Sequence, residues 1–527
     1  MASDQSFKLT YATMFNPPEA LHQQYDAALA KVKSELGKDI PMLIDGRDVF
    51  ADDKFENRFP ADTEVLLGTF QKGNAGHANA ALAAARKAAH GWAHTPWQER
   101  VALLRKAAEI MDRRTFEMGV VLSLEVGKNR MEGLGDVAET ADLIRYSCDR
   151  MEANNGFVNA MGSDPLSGYM SKNTSVLKPY GVWLVISPFN FPAALSGGPS
   201  GAALVAGNTL VMKPATDTPW TSRLIAECFQ EAGIPDGVFN YVTGPGSTLG
   251  QALIESPEVD GITFTGSYDV GMKIFRDFAQ GRYVRPTILE LGGKNPSIVT
   301  KNADLEAAAV GIVRSAFGLQ GQKCSANSRV LIEAPVYDQL VARLMELTEK
   351  LAIGDPTDRT NYLGPVVNKS SYRDYQEFVA DLKAAGKILT GGKVLTDGAY
   401  ARGYFCAPTI AEAPFDHRLW KQEMFVPITT VGKFDDLDEA MKIANDVDYG
   451  LTAGFYGTEE EAARFFDGIE VGVSYANRPM GSTTGAWPGF QPFGGWKASG
   501  SSGKNAGGLY YLPLYMHEQI QNLVRKA

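Results

Sequence analysis

The chain has 527 residues, 44% hydrophobic and 21% charged, with a formal net charge of −10. That length implies two or three structural units, and the acidic balance argues against a nucleic-acid partner. No apolar run is long enough to cross a bilayer, and the start MASDQSFKLTYATMFNPPEA lacks the basic-then-apolar pattern of a secretory signal. Cys148, Cys228, Cys324 and Cys406 lie far apart without a CxxC pair, so neither a metal site nor a disulfide scaffold is expected, and the expected compartment is the reducing cytoplasm.

In chain order, residues 76–92 and 97–118 carry apolar positions at helical spacing. A regular alternation starts near Gly181. Strands are expected at Val182–Ser187, Thr209–Lys213, Val238–Val242, Gly261–Thr265 and Thr287–Leu291. Between them fall helices over Ala193–Ala206, Thr221–Ala232, from about Ser247, and over Val270–Ala279. Such βαβ units build a parallel sheet covered on both faces. After Asn295 a second alternation begins, with helices near 304–317, 335–351 and 369–385 and further elements to about 475. Two segments fit neither unit. Gly156–Leu177 reads as an extended excursion, and the tail from Ser499 ends in YYLPLYMHEQIQNLV, an edge strand able to pair with another chain.

Cys324 sits in Gly318-Leu-Gln-Gly-Gln-Lys-Cys-Ser-Ala326, after a glycine turn. If a helix begins directly after it, unpaired backbone N–H groups favour a thiolate and can hold an oxyanion. The other three cysteines read as buried structural thiols. Glu290, in Leu289-Glu-Leu-Gly-Gly-Lys-Asn-Pro296, ends an apolar strand. There it is either a base with a raised pKa or a strand-end charge paired with Lys294. Asn190, in Ile186-Ser-Pro-Phe-Asn-Phe-Pro192, is an oxyanion donor or a turn asparagine. Lys213 ends its strand as a surface lysine or a ligand for ribose or phosphate. The loop Gly244-Pro-Gly-Ser-Thr-Leu-Gly250 is one residue off the dinucleotide fingerprint, and Phe264-Thr-Gly-Ser-Tyr-Asp-Val-Gly271 opens a helix able to take a phosphate.

From about residue 70 to the C-terminus, these segments together resemble the aldehyde dehydrogenase superfamily in order and spacing, with Glu423-Met-Phe425 and Pro492-Phe-Gly-Gly495 completing the set. The resemblance implies an α/β fold with a Rossmann-type cofactor domain (1–155 and 178–295), an α/β catalytic domain (296–498) and a small β oligomerisation element (156–177 and 499–527). It implies oxidation of an aldehyde to an acid through a thioester, with NAD or NADP as acceptor. Cys324 would be the nucleophile, Asn190 the oxyanion donor together with the Cys324 N–H, and Glu290 the activator of water. Ile186, Ser187, Pro188, Phe189, Lys213, Thr216, Gly266, Ser267, Leu291, Glu423 and Phe425 would meet the cofactor. Thr216 stands where NAD-selective relatives often carry glutamate, so NADP use is expected beside NAD.

Within the superfamily the chain is similar to the branch that oxidises L-glutamate γ-semialdehyde, the open form of 1-pyrroline-5-carboxylate. Phe189, Ser325, Gly485, Ala486 and Phe493 carry that likeness and would contact the substrate, with Gly485-Ala486 holding its α-carboxylate through backbone N–H groups. Trp487 and Pro488 depart from the branch, and Glu132 is the residue offered for the substrate ammonium. A homodimer or larger homo-oligomer is expected. Three rival readings differ in class. A coenzyme A-acylating relative usually lacks a base at Glu290. A cysteine hydrolase needs a histidine base, and no histidine here sits in such a motif. A non-catalytic protein would not need the complete residue set.

Overall fold

The computed structural model describes residues 17–483 and 487–527. One seven-stranded sheet runs, in spatial order, Thr287–Glu290, Gly261–Thr265, Val182–Ile186, Thr209–Lys213, Phe239–Tyr241, Met42–Ile44 and Arg47–Val49. The first five strands are parallel, and each of the last two is antiparallel to the strand before it. The sequences VWLVI, TLVMK and GITFT are buried almost throughout, as strands covered on both faces must be. From Val182–Ile186 the chain adds Thr209–Lys213 and Phe239–Tyr241 on one side. It then returns to add Gly261–Thr265 and Thr287–Glu290 on the other. That reversal opens a crevice beyond the carboxyl ends of Val182–Ile186 and Gly261–Thr265, where open α/β sheets bind ligands.

A second seven-stranded sheet runs Lys387–Thr390, Thr409–Glu412, Ile428–Phe434, Asn327–Glu333, Asn295–Val299, Thr452–Tyr456 and Val473–Ala476. Only its first strand is antiparallel to its neighbour. A third, three-stranded sheet joins the two leftover segments. Met516–Lys526 pairs antiparallel along Tyr169–Pro179, which also pairs with Val158–Ala160. The tail strand thus finds its first partner within its own chain. Among the described residues, no helix is long and apolar enough to cross a membrane.

Some elements depart from expectation. The helix expected over 97–118 ends at Arg113, and a new one runs Thr115–Val126. Arg114 leaves helical geometry (φ −96°, ψ 10°) with its guanidinium on Glu117 and Glu227. The turn lets Met118–Val126, buried at every position, enter the core, which a straight amphipathic surface helix could not do. The helix expected from Ser247 opens as a wide turn, Gly246–Gly250, before Gln251–Glu255. No helix begins after Cys324. A turn leads directly into the buried strand Asn327–Glu333, whose Val-Leu-Ile core suits a pleated sheet.

Candidate active site

Cys324, Ser325, Glu290, Leu291 and Phe493 line one cavity with Thr265, Glu139 and Phe191. The strands deliver these groups. Thr265 and Glu290 are register partners at adjacent strand ends of the first sheet, while Cys324 lies three residues before a central strand of the second. The cavity therefore sits where the two sheets face each other.

The turn before Cys324 is strained. Leu319 (φ 49°), Gln320 (φ 54°) and Gly321 (φ 68°) are all left-handed, which costs an L-residue about 1–2 kcal/mol. External bonds hold it. The Leu319 N–H donates to Glu132 Oε1 at 2.8 Å, and Asn295 Nδ2 donates to the carbonyls of Cys324 (2.7 Å) and Ala326 (2.9 Å). Without a helix N-terminus, the thiol lacks the stabilisation expected for it. Burial first, then the nearby Glu423 and Glu290, push Cys324 up to about 12, against the opposing pull of the Ser325 N–H. It is a thiol here and needs a base to react.

Glu290 is suited to that task, because burial pushes its carboxyl up to about 8. The alternative pairing with Lys294 is not made. Lys294 is buried, its ammonium has no hydrogen bond among the described residues, and burial holds its pKa well below the usual lysine range. Glu423 lies near it, accepting the Gly293 N–H at 2.9 Å, and burial raises it to about 7. A Cβ on Gly292 would fall 2.3 Å from that carboxylate, so a larger residue there would displace the Glu423 side chain.

Asn190 follows the strand Val182–Ile186 and is 3% exposed; its side-chain amide makes no hydrogen bond with another described residue. The next residue, Phe191, lines the cavity. Phe189 meets Phe425 edge-on, ring centroids 5.7 Å apart, with Phe425 in a left-handed conformation (φ 56°). Ile186, Ser187 and Pro188 lie at the crevice where the strand order reverses, opposite Gly266 and Ser267. The Ser187 hydroxyl oxygen accepts from the Ser196 hydroxyl (2.7 Å). Ser267 precedes the helix Tyr268–Ala279, and no side chain caps that helix end, so its first N–H groups are available to an anion. Lys213 is buried beside Gly250, and burial lowers it to about 8. Its ammonium bonds only the adjacent Pro214 carbonyl (3.1 Å) among the described residues. A buried cation without a counter-charge fits the hydroxyls or phosphate of a dinucleotide. Thr216 is exposed just beyond it.

Gly485 and Ala486 lie outside the described residues. Glu132, offered for a substrate ammonium, is occupied otherwise: its carboxylate holds Leu319 and Lys323, and it completes the capping box of the helix Arg130–Ala153. Sequence reading missed Glu139, which lines the cavity instead. Burial, then Asp136, raise Glu139 to about 8 against the pull of Lys128 and Lys323. A signal existed. Glu132, Asp136 and Glu139 recur at helical spacing, an acidic row on one face.

The family model described as "Aldehyde dehydrogenase family" matches residues 49–520. A 1-pyrroline-5-carboxylate dehydrogenase of Geobacillus sp. (strain WCH70) is 39% identical over 507 residues, covering 94% of this chain and 95% of that protein. A crystal structure of 1-pyrroline-5-carboxylate dehydrogenase from Thermus with bound NAD superposes with a TM-score of 0.92 at 35% identity, covering 99% of each chain. An NADP-dependent enzyme of E. coli superposes at 0.86 with 30% identity, covering 94% of this chain and 99% of the other. The whole α/β fold is thus shared with these enzymes, and this chain belongs to the aldehyde dehydrogenase family.

Proposed function

We propose that the enzyme oxidises L-glutamate γ-semialdehyde, the open form of 1-pyrroline-5-carboxylate, to glutamate with NAD or NADP. The cavity's chemistry carries this reading. Around Cys324 the walls are largely apolar, but they include the buried Glu139 carboxyl and Ser325. A substrate ammonium pairs with the Glu139 carboxyl, which makes no ion pair with a described residue of the cavity, and the Ser325 hydroxyl donates to the α-carboxylate. The likeness to 1-pyrroline-5-carboxylate dehydrogenases over nearly the whole chain supports the same substrate.

Residues 1–155 and 178–295 form the cofactor domain, 296–498 the catalytic domain, and 156–177 with 499–527 an element that joins copies of the chain into a homo-oligomer. Lys213, Gly266, Ser267, Glu423 and Phe425 would hold NAD(P), which would supply the hydride acceptor. Thr216 places no negative charge beside a 2′-phosphate, so both forms of the cofactor are used.

Glu290 takes the proton of the Cys324 thiol, and the sulfur attacks the aldehyde carbon. The resulting alkoxide is held by the Asn190 amide and the Cys324 N–H. Loss of hydride from the carbon gives the thioester. Glu290 gives up that first proton to solvent and then takes one from water; hydroxide adds, the C–S bond breaks to release the acid, and the departing thiolate takes the proton back from Glu290. The test is a kinetic panel of glutamate semialdehyde against an uncharged aldehyde of similar length. Wild type is expected to favour the amino acid semialdehyde, and Glu139→Gln to raise KM for it about tenfold while sparing the uncharged aldehyde. A wild-type preference for the uncharged aldehyde would overturn the assignment.

A further inference from the structure

The helix Arg130–Ala153 does more than line the cavity. A capping box fixes its first turn, with Asn129 Oδ1 accepting the Glu132 N–H at 3.0 Å. Glu132, Asp136, Glu139 and Leu143 follow at spacings of four, three and four, so they share one face. Each of the first two grips a different part of the site. Glu132 Oε1 accepts the Leu319 N–H (2.8 Å), at the start of the left-handed run, and the Lys323 ammonium (3.2 Å), two residues after it and next to Cys324. Asp136 Oδ1 accepts the Ala194 N–H at 2.8 Å, four residues after Asn190. Its other oxygen takes the Lys128 ammonium at 2.9 Å, and both side chains are wholly buried. Lys128 also lies 3.7 Å from the ring centroid of Phe191, the residue after Asn190. Glu139 and Leu143, farther along the same face, reach the cavity itself.

Resting on the reading of Cys324 as nucleophile and Asn190 as oxyanion donor, we propose that this helix face is a positioning bracket. Glu132 fixes the nucleophile's turn, while Asp136, clamped by Lys128, fixes the loop that carries Asn190. One rigid helix thereby sets the separation of thiol and oxyanion donor.

Two physical arguments favour placement over stability as the pair's role. A buried ion pair returns little net stability against an apolar pair of equal volume, because both ions must be desolvated. The Lys128–Asp136 pair nonetheless spends its remaining acceptor and its cation face on the segment following Asn190. The nucleophile's turn, for its part, is left-handed at two residues bearing side chains and persists only where its surroundings hold it. Reacting groups displaced by about 1 Å lose on the order of a hundredfold in rate, so a bracket that holds both ends acts directly on the chemical step. Lys128, Glu132 and Asp136 are positioning residues, acting through Leu319, Phe191 and Ala194.

The experiment uses the full-length enzyme with cofactor and aldehyde. It measures single-turnover formation of reduced nicotinamide, steady-state KM, cofactor Kd by fluorescence, and alkylation of Cys324 by iodoacetamide. Asp136→Asn is expected to slow the single turnover about tenfold or more for charged and uncharged aldehydes alike. KM and cofactor Kd should stay within about twofold, and alkylation should stay near wild type because Glu132 still holds that turn. Glu132→Gln is expected to change the alkylation rate as well, by about threefold or more. A folded Asp136→Asn enzyme with the wild-type single-turnover rate would overturn the bracket. Should that variant not fold, Lys128→Met decides: it leaves the bond to Ala194 and fills the space of the stem, so tenfold slowing supports the bracket and a wild-type rate overturns it. Cys324→Ala separates the two layers. Activity retained there sinks the catalytic reading itself, whereas an inactive Cys324→Ala beside a normal Asp136→Asn sinks the bracket alone.

Discussion

At the scale of the residue, the site is governed by burial. Glu290 is raised to about 8 because its charge is poorly solvated at the strand end, and the same burial holds the Cys324 thiol at about 12. Two consequences follow, of opposite value to the molecule. As a base, Glu290 works only when ionised, so thioester hydrolysis should rise about tenfold per pH unit below about 8 and level off above it. Stopped-flow hydrolysis of the acyl-enzyme from pH 6 to 9 measures this, and a flat wild-type profile would count against Glu290. For stability the sign reverses. The folded carboxyl binds its proton more tightly than the unfolded one, so its contribution is fully present below the unfolded value of 4.5 and is lost as pH rises through about 8. Glu290→Gln should therefore unfold later than wild type at pH 8, by a few kcal/mol at most, with a smaller gain, about 1 kcal/mol or less, at pH 5. Thermal melts at the two pH values check the difference.

At the scale of the element, sequence patterning was most legible where burial is two-sided. The strands at 182–186, 209–213 and 261–265 are runs of apolar residues bounded by turn residues, and they lie where the pattern placed them. The strands at 42–44 and 47–49 have three residues each, short of the four or more over which an alternation can be read, so nothing announced them. The thiol's surroundings were misread for a related reason. Gly-Gln-Lys-Cys-Ser suits either a helix start or a turn, and the choice lies with Asn295 and Glu132, which are distant in sequence or on another helix. A further long-range contact has the same character. The helix Pro219–Ala232 has no cap from its own Thr218. Glu125, at the end of the helix Thr115–Val126, supplies it by accepting the N–H of Trp220 (2.7 Å) and Thr221 (2.8 Å), the Thr221 hydroxyl (2.7 Å) and Asn57 Nδ2 (3.0 Å). Removing an acceptor shared by four buried donors should cost about 3 kcal/mol or more. Glu125→Ala is expected to lower the urea midpoint by that measure, and Glu125→Gln by less because one oxygen remains. Equal stability in all three proteins would show that the four bonds contribute nothing net.

At the scale of the molecule, the small third sheet is incomplete by itself. Met516–Lys526 is eleven residues long, and every residue after Met516 is exposed. Its main partner, Tyr169–Pro179, is half open as well. The exposed apolar side chains divide between both faces. In the antiparallel register, Ile520 and Val524 share one face with Tyr169, and Leu523 shares the other with Met170. A long ribbon with two open faces is marginal in water, and an open edge strand invites pairing. The two copies related by a twofold axis would present the same ribbon to each other and cover it without any foreign partner. The prediction is that the wild-type chain sediments as a dimer or larger at micromolar concentration. Ile520→Glu combined with Leu523→Glu places a buried charge on both faces of the assembled ribbon and should shift the population toward monomer by about a hundredfold or more in Kd. The cofactor crevice and the cavity around Cys324 are built from the two large sheets of one chain, so cofactor affinity should persist in that variant while the thermal midpoint falls. Sedimentation velocity with a cofactor titration on the same samples decides it. A monomeric wild type would overturn the prediction, and an undisturbed assembly in the double variant would place the contact between copies on another face.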